Sequence, residues 1–164
     1  MKIFSSFLII ICCVFYLESH AVDNIKKDKK TIINSIESQK DRLIEISDNI
    51  WEAAEPALLE FKSSKYLSDY AEENGFRVTR GVAEIPTAFV AEFGSGKPVI
   101  GILGEFDANP GISQKKQPTK DPLVKGAAGH GCGHNLYGTG SLGAAIAIKE
   151  MIESGEISGT VRFY

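Results

Sequence analysis

The sequence has little cysteine, and its lysine cluster at residues 26–30 is short and interrupted by Asp28. Its 164 residues include three cysteines, and no run of lysine or arginine is interleaved with aromatic residues. With a formal net charge of -3, the chain lacks the phosphate-neutralising surface that nucleic-acid binding needs. Its 43% hydrophobic and 24% charged residues are typical of a globular domain, which excludes repetitive, collagen-like and fully disordered chains.

The N-terminal apolar segment is too short for a membrane span. Lys2 precedes an apolar stretch from Ile3 to Leu17, and residues 19–21 (Ser-His-Ala) place small side chains at cleavage positions. A spanning helix needs about 20 apolar residues, so a membrane anchor is the weaker alternative. We expect residues 1–21 to be a signal peptide cleaved after Ala21, which predicts a secreted or periplasmic protein without a stable membrane anchor. Cleavage would leave Cys132 as the one thiol of the mature chain.

Hydrophobic periodicity predicts two helices at the start of the mature chain. From Asn24 to about Ala54, isoleucine and leucine recur at three- and four-residue intervals, and Glu55-Pro56 ends the pattern. A second helix fits Leu59 to Asn74, and Gly75 followed by Phe76 predicts a left-handed C-terminal cap.

The pattern then becomes extended and predicts an α/β fold. Residues 94–97 (Gly-Ser-Gly-Lys) have the composition of a hairpin connection, and the unbroken apolar run at 99–103 predicts a central strand covered on both faces. A helix from about Ser141 to Glu153 precedes a strand that begins at Gly159. The predicted strands are Phe76 to Arg80, Thr87 to Phe93, Pro98 to Leu103 and Gly159 to Tyr164.

Residues 129–135 (Gly-His-Gly-Cys-Gly-His-Asn) carry three metal-capable side chains at alternate positions. Glycines permit a loop that folds a thiolate and an imidazole onto one ion. A coordinated thiolate would also explain an odd cysteine in a secreted protein. The alternative is a glycine-rich turn with incidental His130, Cys132 and His134.

Two carboxylates follow the apolar strand. Glu105 and Asp107 lie where ligands bind in open α/β sheets, off the carboxyl ends of the strands. Such a carboxylate can bind a metal or hold a ligating imidazole in one tautomer. The alternative is a pair of solvated, turn-forming residues.

Two other patterns are weaker. Residues 138–143 match G-x-G-x-x-G, but a polar loop precedes them instead of the strand that the dinucleotide fingerprint requires. A glycine-rich helix start that packs closely on the sheet is the better interpretation.

Cys132 paired with a histidine is a possible nucleophile, although the histidines on either side of it favour metal ligation.

Three segments together carry a family resemblance: residues 104–111 (GEFDANPG), 129–136 (GHGCGHNL) and 138–145 (GTGSLGAA). They resemble the metal-dependent amidohydrolase and peptidase family of aminoacylases, hippurate hydrolases and glutamate-releasing carboxypeptidases. The resemblance runs from about Ile50 to Tyr164. It implies a zinc-exopeptidase-like α/β domain with a mixed central sheet and flanking helices.

The resemblance also implies a site with two divalent metal ions, zinc or manganese, that hydrolyses an amide bond beside a free carboxylate. Cys132 and His134 then correspond to metal ligands, and Asp107 to the catalytic strand-end acid that orients a ligand; His130 has no assigned role. Many members have Asp and His where this chain has Asn135 and Tyr137, which fits the aminobenzoyl-glutamate branch.

The family's Pro-Ala-Glu-Glu-like segment, which supplies the general base and another ligand, is absent from these residues, as is its lid or dimerisation domain. We therefore expect residues 22–164 to be the N-terminal part of the catalytic domain, inactive alone. The expected full-length protein takes N-acyl amino acids or dipeptides and forms a homodimer or hetero-oligomer. The alternatives are a non-catalytic metal-binding module and a cysteine-nucleophile hydrolase.

Overall fold

The computed structural model describes residues 25–164, so the predicted signal peptide lies outside the described residues. Residues 25–34 are helical and belong to one unit of the chain, and the second unit runs from Ser35 to Tyr164. No helix between residues 25 and 164 has the length and apolar character needed to cross a membrane.

The second unit contains three long helices and four strands. The helices are α1 (Lys40–Ala53), α2 (Phe61–Glu73) and α3 (His134–Glu153). The strands are β1 (Arg77–Arg80), β2 (Phe89–Ser95), β3 (Val99–Ile102) and β4 (Gly159–Phe163), and a short 3₁₀ helix, Val82–Glu84, follows β1. This is the mixed sheet with flanking helices that the resemblance implies.

The single helix predicted from Asn24 to Ala54 is interrupted at Gln39, where the structure has a turn. In an unbroken helix the Gln39 N–H would bond to the Ser35 carbonyl. The Ser38 hydroxyl donates to that carbonyl at 2.7 Å instead, and the Gln39 side chain does so at 3.2 Å. The Gln39 N–H bonds to Ile36 O, because side chains compete with the backbone for the same acceptor.

The end of α2 follows the prediction closely. Gly75 is left-handed with φ 82°, and its N–H donates to Glu72 O while the Phe76 N–H donates to Ala71 O. These are the two hydrogen bonds of a Schellman cap. Phe76 is then buried against the helix it terminates.

The order of the strands differs from the prediction. The sheet runs β1-β2-β4-β3, with β4 antiparallel to β2 and parallel to β3. Residues 94–97 therefore do not join paired strands, and the hairpin prediction is wrong. β4 arrives from much later in the chain, and local turn composition carries no information about such a strand.

The prediction that residues 99–103 form a covered central strand is also wrong. β3 is at the edge of the sheet, and Val99 and Ile100 are 47% and 50% exposed within the described chain. β4 takes the central place, with Val161 and Phe163 fully buried. An apolar run shows that a strand can be buried. The strands and helices that pack against it decide whether it is buried.

The core lies between the helices and one face of the sheet. Pleating places Glu92 and Arg162 on the opposite face, where they are partners across β2 and β4 and form an ion pair. The buried apolar core includes Ile46, Ile50, Leu67, Phe76, Phe89, Ala91, Leu142, Ile146, Val161 and Phe163.

Candidate metal centre

The Gly-His-Gly-Cys-Gly-His segment forms a turn that leads directly into α3. Gly133 is the N-cap residue in a left-handed conformation, φ 75°, and His134 is the first residue of the helix. A residue with a side chain is strained at that φ. The helix begins seven residues before the predicted Ser141, so His134 is fixed by regular backbone.

Backbone pairing brings the two predicted motifs together. Asn109 N–H donates to Gly129 O at 2.9 Å, and Gly129 N–H donates to Asn109 O at 3.0 Å. A side chain at position 129 would collide with Ile112 O, because its Cβ would lie 2.5 Å away. Ala108 N–H also donates to Glu55 O at 2.8 Å, which anchors the strand-end loop to the segment after α1.

His134 lies between the two predicted carboxylates. Its Nδ1 is 2.8 Å from Asp107 Oδ1, and its Nε2 is 3.1 Å from Glu105 Oε2. When Nδ1–H donates to Asp107, the tautomer is fixed and Nε2 presents its lone pair. The structure thus contains the Asp107–His134 contact that the predicted roles require, and the roles themselves remain predictions.

Cys132 is exposed and carries a free thiol. Within residues 25–164, no group of three or more His, Cys, Asp or Glu side chains is arranged to hold a metal ion. A thiolate and an imidazole, with a carboxylate behind the imidazole, suit a divalent metal but fall short of the three protein ligands of a catalytic zinc. The donors therefore fit part of a metal site.

His130 binds the backbone of α1 through one ring nitrogen, and its buried Nδ1 has no hydrogen-bond partner within residues 25–164. Its Nε2–H donates to Ile50 O at 3.0 Å, which fastens the loop to α1. Burial, together with the nearby His134, lowers the pKa of His130 below its ordinary value despite its bond to Ile50. The folded protein binds this proton less readily than the unfolded chain, so His130 lowers stability as the pH falls below about 6.5.

Asn135 and Gly138, for which the sequence predicted no part in the site, hold the start of α3. The buried Asn135 amide donates to Ser47 Oγ at 3.0 Å and to Ser47 O at 3.4 Å. Gly138 lies against the strand-end loop, and a Cβ there would be 2.7 Å from Glu105 O. The glycine spacing was the one available signal for this close packing.

The weaker alternatives are disfavoured by the same geometry. Gly138, Gly140 and Gly143 lie inside α3 and not in the strand-to-helix turn that a dinucleotide site needs. Among the residues that the structure describes, neither histidine is hydrogen-bonded to Cys132. His130 Nε2 faces Ile50 O, His130 Nδ1 has no partner in this part of the chain, and the two nitrogens of His134 face Asp107 and Glu105.

A comparison with curated proteins identifies a relative of this chain. The chain is 48% identical over 136 residues to one subunit of the p-aminobenzoyl-glutamate hydrolase of Escherichia coli strain K12. It is a homologue of that hydrolase subunit. The alignment covers 81% of this chain and 28% of the relative, so the chain spans less than a third of the relative's length. No protein-family model matches the chain.

Solved structures of hydrolases share the fold. An aminohydrolase from methicillin-resistant Staphylococcus aureus is 25% identical, with a TM-score of 0.66 over 82% of this chain and 33% of that one. A dinuclear metal-binding peptidase of the M20 family from Bacillus subtilis is 28% identical, with a TM-score of 0.64 over 77% of this chain and 35% of that one. The predicted resemblance to amidohydrolases and peptidases is confirmed.

Proposed function

We propose that the full-length protein is a metal-dependent hydrolase of amide bonds in N-acyl or N-aroyl amino acids or dipeptides. Compounds like p-aminobenzoyl-glutamate are the proposed substrate class, after the name of the 48% identical relative. One observation carries the proposal: His134 begins a helix beside Cys132, and its Nδ1 is 2.8 Å from Asp107. In our proposal residues 22–164 supply part of the site and are inactive alone.

Cys132 and His134 are the proposed ligands of a site with two divalent ions, zinc or manganese. The M20 neighbour, a dinuclear metal-binding peptidase, supports the presence of two metal ions. Asp107 holds the proton of His134 at Nδ1, and the helix start fixes the direction of the ring. The metal, when bound, polarises the amide carbonyl and lowers the pKa of a water molecule.

Metal content and chelation test this proposal. The full-length protein, purified without chelator, is expected to carry about two metal equivalents by plasma mass spectrometry. Hydrolysis of p-aminobenzoyl-glutamate should stop after chelation and return when zinc or manganese is added. If the protein contains no metal and hydrolyses nothing, residues 129–135 do not form a functional metal site. If hydrolysis is unaffected by chelators but is inhibited by iodoacetamide, Cys132 acts as a nucleophile instead.

Asp107→Asn is expected to weaken metal binding by about 10- to 100-fold, as loss of a carboxylate behind a ligating histidine does. The asparagine can present its amide N–H to Nδ1 and so favour the wrong tautomer. Competition with a metal-sensitive dye measures the affinity. Asp121→Asn, at an exposed aspartate that pairs with Lys115, is the matched control; equal metal affinity in both variants would contradict the role of Asp107.

Localisation and assembly are further proposals. A leader cleaved after Ala21 places the protein outside the cytoplasm, and intact-mass measurement of the secreted protein would show a chain beginning at Val22.

The relative is named as one subunit of its hydrolase, which supports a hetero-oligomer, and a homodimer is the alternative. Light scattering of the full-length protein, alone and with a co-purified partner, separates the two.

A further inference from the structure

A cavity of about 320 Å³ adjoins the candidate metal centre. Glu105 and Asp107, the carboxylates that flank His134, form part of its wall. The volume is at the lower end of the range for small-molecule pockets. Apolar side chains cover much of the remaining wall: Leu58, Val82, Ile85, Phe89, Leu103 and Phe106.

Glu60 is a buried carboxylate in this wall. The residue is 7% exposed, and its Oε1 accepts a hydrogen bond from Leu58 N–H at 2.9 Å. Its Oε2 is buried and has no hydrogen-bond partner within residues 25–164. A buried carboxylate oxygen without a hydrogen bond costs free energy of desolvation, which a hydrogen-bond donor from a ligand would offset. Because a carboxylate has two oxygens with about four acceptor sites, it can accept from Leu58 and from a group in the cavity together.

The charged residues that line the cavity indicate which kind of ligand it can bind. Glu60, Glu105 and Asp107 line it, and no lysine or arginine does so in the described part of the chain. An anionic group is therefore disfavoured. A metal ion is disfavoured as well, since these residues form no group that could hold one. The wall fits a compact apolar body that carries an N–H donor.

We propose that this cavity takes the acyl-side ring of the substrate and that Glu60 accepts a hydrogen bond from an amino group on the ring. The proposal rests on the proposed function. The ring packs against Phe89 and Phe106, whose own rings are stacked with centroids 6.2 Å apart. Glu105 borders both the cavity and His134 Nε2, so a ring in the cavity directs its amide bond toward the metal centre.

Paired substrates test the role of Glu60 in the full-length, metal-loaded protein. We expect kcat/KM for p-aminobenzoyl-glutamate to exceed that for p-methylbenzoyl-glutamate by about tenfold or more, the worth of a hydrogen bond to a charged group. In Glu60→Gln the ratio should fall toward one, because the amide oxygen pairs with Leu58 N–H and the NH₂ group faces the ligand. Glu55→Gln, at a carboxylate that caps α2 outside the cavity, should keep the wild-type ratio.

Equal kcat/KM for the two substrates in the wild type, or an unchanged ratio in folded Glu60→Gln, overturns the proposal. Binding of 4-aminobenzamide and 4-methylbenzamide to the wild-type protein, followed by ligand-observed NMR, needs neither hydrolysis nor the variant. A preference of about tenfold for the amine supports the site even if the proposed reaction fails. If 4-aminobenzamide and 4-methylbenzamide bind equally well, or neither binds, Glu60 does not recognise an amino group on the ring.

Discussion

Cys132→Ala in the full-length protein is expected to lower hydrolysis by more than about 100-fold, since even the residues behind metal ligands are worth about 10- to 100-fold. The thiolate is one of the two ligands that we propose in this chain, and a single imidazole cannot hold a catalytic ion without other protein ligands. Metal content by plasma mass spectrometry should fall with the rate. Cys132 is exposed, so the substitution leaves the core packing intact.

Two controls separate loss of a ligand from other causes. The thermal midpoint of the metal-free protein should be unchanged by Cys132→Ala, because no buried contact is lost. Cys132→Asp, which offers a different ligand, should recover part of the metal content with manganese, which prefers oxygen ligands. If Cys132→Ala keeps both metal and activity, the metal centre proposed here does not exist.

Asn135→Asp is expected to destabilise the fold by about 3 kcal/mol at neutral pH, because a buried carboxylate would face the Ser47 carbonyl without a proton to donate. The wild-type amide donates to both Ser47 O and Ser47 Oγ. The prediction concerns the pairing of residue 135 with Ser47 in this chain. Urea denaturation of wild type and variant measures the difference in free energy of unfolding.

The destabilisation caused by Asn135→Asp should depend on pH in a defined direction. Burial raises the folded-state pKa of the new aspartate, so the penalty should appear as the pH rises through about 3.9 and shrink in acid, where the protonated group donates again. Asn74→Asp is the matched control, since Asn74 donates to Tyr70 O at the partly exposed end of α2; we expect it to cost about 1 kcal/mol or less. Equal costs at the two positions would contradict the role of Ser47.

The sequence by itself predicted most of the helices and strands and the residues that we propose for the site. Apolar periodicity located the helices, and Gly75 with Phe76 marked the cap that the structure shows. Asp107, Cys132 and His134 were recognisable because metal chemistry restricts residue types and because glycines leave few conformations for the loop. These signals are local, so a linear pattern carries them.

Only the tertiary structure decided which distant residues meet. β4 enters the sheet between β2 and β3, which removes the predicted hairpin and, among residues 25–164, leaves the apolar run of β3 at the edge of the sheet. Asn135 contacts Ser47, and His130 contacts Ile50 O, across many residues of the chain. Glu60 lines the same cavity as Glu105 and Asp107. The sequence cannot specify them, because burial and pairing depend on the packing of whole helices and strands, and that packing decides which buried polar group finds a partner and which, like Glu60 Oε2, does not.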